Sequence, residues 1–288
     1  MRIANVAGRA TFVDGEGAGL DVEKASDGRF PSDPQALFDE WDAVRDWASA
    51  RTIEGDTGID PADLRAPTPL PRQVFAIGLN YAEHAAESRI ALPDTPPVFT
   101  KFASSLTGPN TPIVLPSNTV DWEAELVVAI GRGGAGIAES VAWGHVAGLM
   151  AGQDLSERVV QLAGPVPQFS LGKSYPGFAP LGPALVTADE VADPDDLELG
   201  CAIDGEVLQH GRTRDMIFGV AELISRLSAV CPLWPGDIVF TGTPSGVGAG
   251  RTPARYLTPG STLTSFVTGV GELSNPLTAA ENFLQRSL

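Results

Sequence analysis

The sequence predicts a β-rich α+β fold in which a small amino-terminal α+β domain, residues 1–68, precedes a larger body, residues 69–288. Three observations carry this reading. The 288 residues include 32 Gly and 24 Pro, a content that keeps helices short and few. From residue 73 onward the apolar residues come in short runs between Gly and Pro, without the repeated strand–helix spacing of βαβ units. The stretch Ala66-Pro67-Thr68-Pro69-Leu70-Pro71 reads as a stiff extended connector between the two parts.

The elements follow in chain order. Residues 2–6 and 10–13 are strand-like, and residues 33–51 have the pattern of a helix. In the body, residues 126–130 form an uninterrupted apolar run bounded by acids and glycines, the pattern of a buried strand, and residues 146–151 form another apolar stretch. Apolar positions at three- and four-residue spacing predict helices over 138–147 and 216–227. Between these lies Gly131-Arg132-Gly133-Gly134-Ala135-Gly136, with Asp154 some twenty residues on, which matches most of a dinucleotide-binding fingerprint. A strand opening with two acids and the missing βαβ rhythm favour a Gly-rich turn that simply closes the strand.

Charge bounds the function. Asp plus Glu outnumber Lys plus Arg by 36 to 19, giving a formal charge of -17. Nucleic acid and anionic membranes need a basic footprint, so neither is an expected partner. An anionic substrate needs local positive charge at its site. No stretch approaches a transmembrane span and the opening MRIANVAGRATF has no continuous apolar segment, so a cytoplasmic protein is expected. Cys201 and Cys231 read as core thiols of a reducing compartment, with a single disulfide as the alternative.

The chemistry centres on Val120-Asp121-Trp122-Glu123-Ala124-Glu125-Leu126. In a strand, residues two apart share a face, so Glu123 and Glu125 project side by side where the chain leaves water. Two carboxylates about 6 Å apart at an effective dielectric near 20 repel by roughly 3 kcal/mol. A hard divalent cation is one compensation; a strand edge facing solvent is the other reading. Asp154 ends the apolar stretch 146–151 and is either a third carboxylate or a cap.

Taken together, the motifs resemble the fumarylacetoacetate hydrolase family. They run Gly78-Leu79-Asn80-Tyr81-Ala82-Glu83-His84-Ala85-Ala86-Glu87, Phe99-Thr100-Lys101, Thr107-Gly108-Pro109, then Glu123-x-Glu125. After these come Asp154-Leu155-Ser156-x-Arg158-x-x-Gln161, Lys173-Ser174-Tyr175 and Thr241-Gly242-Thr243-Pro244. The pattern is that of the acylpyruvase and 2-hydroxyhepta-2,4-diene-1,7-dioate isomerase-like members. The resemblance implies a mixed β-sandwich roll as the catalytic domain and a homodimer. It implies Glu123, Glu125 and Asp154 as ligands of Mg²⁺ or Mn²⁺, with Lys173 offsetting the excess negative charge and meeting a substrate oxygen. It implies His84, oriented by Glu87, as the base, and Lys101, Arg158, Gln161 and Thr243 as substrate-binding residues. Asp121 is expected to flank the carboxylates without joining them, and His145 and His210 are expected to be structural.

The activity implied is metal-dependent hydrolysis of a carbon–carbon bond in an acylpyruvate-type ketoacid. Decarboxylation of a β-keto acid such as oxaloacetate, or keto–enol isomerisation of a ring-cleavage dioate, is the alternative on the same site. Gln153, Glu157, Val159, Phe102 and Pro176 depart from the family's usual residues and are expected to alter the walls of the substrate pocket.

Overall fold

A computed structural model describes residues 1–87 and 90–281. Its architecture is strand-rich, with few and short helices, as the Gly and Pro content predicts. A large twelve-stranded mixed sheet has the strands Ala179–Val186, Val146–Gln153, Ala124–Ile130 and Ile238–Phe240 at its centre. A five-stranded sheet, Glu206–Arg212 to Glu198–Ile203 to Thr262–Val267 to Gly271–Ala279 to Ile113–Leu115, packs against its face.

The strand Ala124–Ile130 shows why residues 126–130 carry no polar interruption. Leu126, Val128 and Ile130 point into the core between the sheets, beside Leu199, Val267 and Leu273. Val127 and Ala129 point the other way, into a core with Phe12, Phe30, Trp41 and Val44. Covered on both faces, the strand has no solvent side on which an alternating pattern could appear.

That second core is shared across the expected boundary at residue 68. The strand Arg2–Val6 pairs antiparallel with Ala179–Val186, Ile3 opposite Leu185, so the sheet runs without interruption from the amino-terminal segment into the body. The connector at 66–71 links two parts of one sheet system: Ala66 and Thr68 are buried, and Asn5 Nδ2 donates to the Ala66 carbonyl at 2.8 Å.

Three expected helices are modified. The helix expected over 33–51 is a 3₁₀ turn, Ala36–Glu40, followed by an α-helix, Trp41–Ser49, whose Trp41, Val44 and Ala48 face the core. Residues 138–147 form only a 3₁₀ segment, Glu139–His145, where the β-branched Val141 and flexible Gly144 lower helix propensity. The helix expected over 216–227 begins later, as Val220–Ser228, because the preceding backbone is held elsewhere. There Met216 bridges to Tyr81, and Phe218 N donates to Asn80 Oδ1 at 2.8 Å.

The glycines at 131–136 close the strand as a turn. A Cβ on Gly133 would lie 2.6 Å from the Leu233 carbonyl oxygen, so glycine serves close backbone approach here. Both cysteines are free. Among the described residues no helix is long and apolar enough to cross a membrane.

Candidate active site

The site starts from a break in a strand. Strand Val120–Asp121 pairs with Ser156–Glu157, and strand Ala124–Ile130 pairs with Val146–Gln153, so pairing stops at Trp122 and Glu123. Buried N–H groups released by such a break need acceptors. Three side chains supply them: Trp122 N donates to Asp121 Oδ1 at 2.8 Å, Glu123 N to Gln153 Oε1 at 2.8 Å, and Ala124 N to Gln209 Oε1 at 2.9 Å. On the facing chain Asp154 N donates to the Glu123 carbonyl at 2.9 Å. Glu123, Glu125 and Asp154 are thereby presented together, all buried, with one oxygen of each within 4.8 Å of the others.

The carboxylates differ in how they are compensated. Lys173 Nζ lies 2.7 Å from Glu123 Oε2 and 2.6 Å from Asp154 Oδ2, and Lys101 Nζ lies 2.6 Å from Asp154 Oδ1. Arg158 Nη1 lies 2.8 Å from Glu123 Oε1. Burial opposes ionisation of Glu123, but Lys173 and Arg158 outweigh it and hold its carboxyl down to about 2. Burial likewise works against the Lys173 ammonium, and Asp154 and Glu123 reverse it, so Lys173 is held charged. At Lys101 burial prevails and lowers the ammonium despite Asp154.

Glu125 is the exception. Gly242 N donates to its Oε2 at 2.7 Å. Burial, then the charges of Asp154 and Glu123, push its carboxyl well above the usual range. A buried carboxyl group that forms no ion pair among the described residues, beside two others, is the donor chemistry that a hard divalent ion satisfies. Oxygens each about 2.1 Å from Mg²⁺ lie about 3 to 4 Å from one another, so small side-chain rotations suffice to gather these three. The residues fit Mg²⁺ or Mn²⁺.

The trio opens, through Glu123 and Lys173, into a cavity of about 440 Å³ also lined by His84, Glu87, Arg158, Gln161 and Thr243. The helix Ala82–Glu87 sets His84 and Glu87 three residues apart on one face, with Nδ1 2.7 Å from Glu87 Oε1. Glu87 Oε2 accepts from Gly246 N at 2.9 Å, so both carboxylate oxygens are engaged and Nε2 is the ring nitrogen left for chemistry. In the turn Arg158–Gln161, Arg158 Nη1 donates to Gln161 Oε1 at 2.8 Å.

Of the expected substrate contacts, Lys101 lies off the cavity wall and Thr243 lies on it with its hydroxyl already bonded. Lys101 is 1 % exposed and absent from the cavity wall; it donates to Asp154 and to the Lys173 carbonyl, beneath the carboxylates. Its chemistry here is charge compensation inside the trio. Thr243 does reach the cavity, but its hydroxyl donates to the Ala124 carbonyl at 2.9 Å and accepts from Gln209 Nε2 at 2.8 Å. Its proton is therefore committed to the protein.

None of the five departures from the family pattern lines the cavity itself, and two of them support residues that do. Gln153 holds the Glu123 backbone, and Glu157 caps the turn at 158–161 by accepting from Val160 N at 2.7 Å. His145 Nδ1 lies 2.8 Å from the Arg132 carbonyl oxygen and His210 pairs with Glu198, both outside the cavity wall.

Asp121 proves to be a hub. It accepts from Arg158 Nε at 2.8 Å and Nη2 at 2.6 Å, from Gly248 N at 2.7 Å and from Ala249 N at 2.9 Å. It thus fixes both a cavity cation and the loop opposite. Gln209 and Arg251 were not expected at the site. Gln209 lies in no motif, and Arg251 follows the Gly-rich loop with no spacing that marks it.

Three buried carboxylates, a charged lysine and a His–Glu pair around one cavity are the equipment of an acid–base enzyme with a place for a divalent cation. The comparisons make the class specific. The family model described as fumarylacetoacetate (FAA) hydrolase C-terminal matches residues 73–278. The mitochondrial oxaloacetate tautomerase FAHD2A of Homo sapiens is 38% identical over 266 residues, covering 91% of this chain and 84% of that protein. A crystal structure of a protein described as HpcE from Mycobacterium smegmatis is 53% identical with a TM-score of 0.92, covering 98% of this chain and 100% of that one. Maleylpyruvate hydrolase from Sphingobium sp. SYK-6, crystallised in complex with manganese(II) and pyruvate, is 26% identical with a TM-score of 0.78, covering 98% and 100%. The chain belongs to the fumarylacetoacetate hydrolase family.

Proposed function

We propose that the protein catalyses keto–enol interconversion of 2-oxo acids that carry a second carbonyl group at C4, with Mg²⁺ or Mn²⁺ held by Glu123, Glu125 and Asp154. The observation that carries it is the placing of His84, its Nδ1 committed to Glu87, on the same cavity as Lys173 and Glu123. The 38% identity to an oxaloacetate tautomerase supports this reaction over the others open to the site.

When bound, the cation supplies Lewis-acid polarisation of the 2-oxo group. Lys173 has three ammonium donors, two of them directed at Glu123 and Asp154, and the third is available to a substrate oxygen. With Nδ1 protonated and facing Glu87, His84 offers Nε2 as a base. Nε2 takes a proton from C3, and the Lys173 ammonium meets the negative charge that develops on the neighbouring oxygen. Return of the proton to that oxygen gives the enol, with no carbon–carbon bond broken. Arg158, bonded to Asp121 and to Gln161, forms with Gln161 a rigid polar wall beside it.

Hydrolytic cleavage of an acylpyruvate is the second reading, favoured by the likeness to a maleylpyruvate hydrolase. It begins at the same nitrogen, with water in place of C3 as the proton donor and the C4 carbonyl as the point of attack.

Incubation of the Mg²⁺-supplemented enzyme with oxaloacetate and with 2,4-dioxopentanoate separates these reactions. Faster relaxation of the enol absorbance, with neither CO₂ nor acetate released, is the expected result. Acetate release moves the assignment to hydrolysis and CO₂ release to decarboxylation. No acceleration of any of the three rejects the site.

A further inference from the structure

Among the described residues, Arg251 is the cavity cation that the site leaves without a carboxylate. Arg158 is paired with Asp121 and Glu123, Lys173 with Glu123 and Asp154, and Lys101 with Asp154. Among the described residues Arg251 forms no ion pair. Its Nη2 donates to the carbonyls of Leu208 at 3.0 Å and Gly246 at 3.2 Å, and its Cζ lies 5.7 Å from the centroid of the Trp122 ring. These contacts hold the guanidinium in one pose on the cavity wall, which it shares with His84, Arg158 and Lys173. Among the described residues Nε is buried with no partner, and the bonds that brace the group come from Nη2. A guanidinium fixed at a cavity with donors unspent is an anion receptor waiting for its anion. In a chain of formal charge -17, such a local cation is also what an anionic substrate needs in order to enter.

We infer that Arg251 binds the distal carboxylate of the substrate, so that the enzyme selects 2-oxo dicarboxylates over 2-oxo monocarboxylates of similar size. The inference rests on the proposed reading, in which the 2-oxo acid end lies at the carboxylate trio and Lys173. The opposite end of the substrate then requires a partner of its own. Arg251 supplies a charged one, whereas Thr243, a polar group on the same cavity, has its proton engaged.

Oxaloacetate and 2,4-dioxopentanoate form a matched pair for the test, since a carboxylate in one stands where the other has an acetyl group. The wild-type enzyme should favour oxaloacetate in kcat/KM by at least about tenfold, the scale of a charged hydrogen bond. Arg251→Met should narrow that ratio at least about tenfold, chiefly through KM for oxaloacetate, and Arg251→Lys should restore part of it. A purely bracing role for Arg251 predicts equal losses on both substrates, and that result overturns the inference. Should Arg251→Met fail to fold, the wild-type ratio decides alone, and parity or a preference for 2,4-dioxopentanoate overturns it. Turnover of neither substrate by the wild type is the separate failure of the proposed function.

Discussion

Glu87 joins two parts of the site at once: Oε1 lies 2.7 Å from His84 Nδ1, and Oε2 accepts from Gly246 N at 2.9 Å. The base is therefore oriented by a carboxylate that is itself pinned to the Gly-rich loop leading to Arg251. At Gly246 the backbone has φ +106°, and a Cβ would lie 2.4 Å from the Leu208 carbonyl oxygen, so only glycine keeps this contact.

His84→Ala should lower kcat by about 10²- to 10⁴-fold, the usual contribution of a positioned base. Glu87→Gln should cost less, since its single acceptor oxygen can still meet Nδ1–H, although it gives up the Gly246 contact and no longer stabilises the protonated ring. Neither change touches the carboxylate trio, so Mg²⁺ affinity measured by calorimetry should stay near that of the wild type. Unchanged turnover in His84→Ala removes the base assignment.

Lys101→Met separates a buried counter-charge from a substrate contact. Removing one partner of a buried ion pair costs about 3–5 kcal/mol, so the melting temperature should fall by roughly 5 °C or more. A normal melting temperature with a raised KM would return Lys101 to the substrate.

Glu125 makes stability depend on pH and on metal together. Its carboxyl is raised in the folded state above the ordinary 4.5, so the fold binds this proton more tightly than the unfolded chain does. In metal-free protein the resulting stabilisation is complete below pH 4.5 and is lost as pH rises through the raised value. Mg²⁺ binds the ionised form, so its affinity should climb over the same window. Glu125→Gln should abolish both trends in paired thermal melts with and without Mg²⁺.

Gly242→Ala should destabilise by about 1–3 kcal/mol, because φ is +100° and the new Cβ would lie 2.7 Å from Asn80 Cβ. Chemical denaturation measures this directly. The variant should also weaken Mg²⁺ binding, since Gly242 N is the donor that positions Glu125.

What the sequence revealed depended on the range of the interactions involved. Residues 126–130 were legible because burial on both faces writes an unbroken apolar run. His84 and Glu87 were legible because a single helical turn joins them. Glu123 and Glu125 were expected side by side from strand periodicity, and they do converge, although the strand begins only at Ala124. The acceptors that permit this, Gln153 and Gln209, come from distant strands and leave no local pattern. The pairing of Ile3 with Leu185, which joins the amino-terminal segment to the body, was invisible for the same reason. Arg251 was hidden differently: its significance is that it has no carboxylate partner among the described residues, which only three-dimensional proximity reveals.

Crystals soaked in Mn²⁺ and measured at the manganese absorption edge test the central claim most directly. The account predicts one anomalous peak within about 2.3 Å of an oxygen from each of Glu123, Glu125 and Asp154. A peak elsewhere, or none at these three carboxylates, would contradict it.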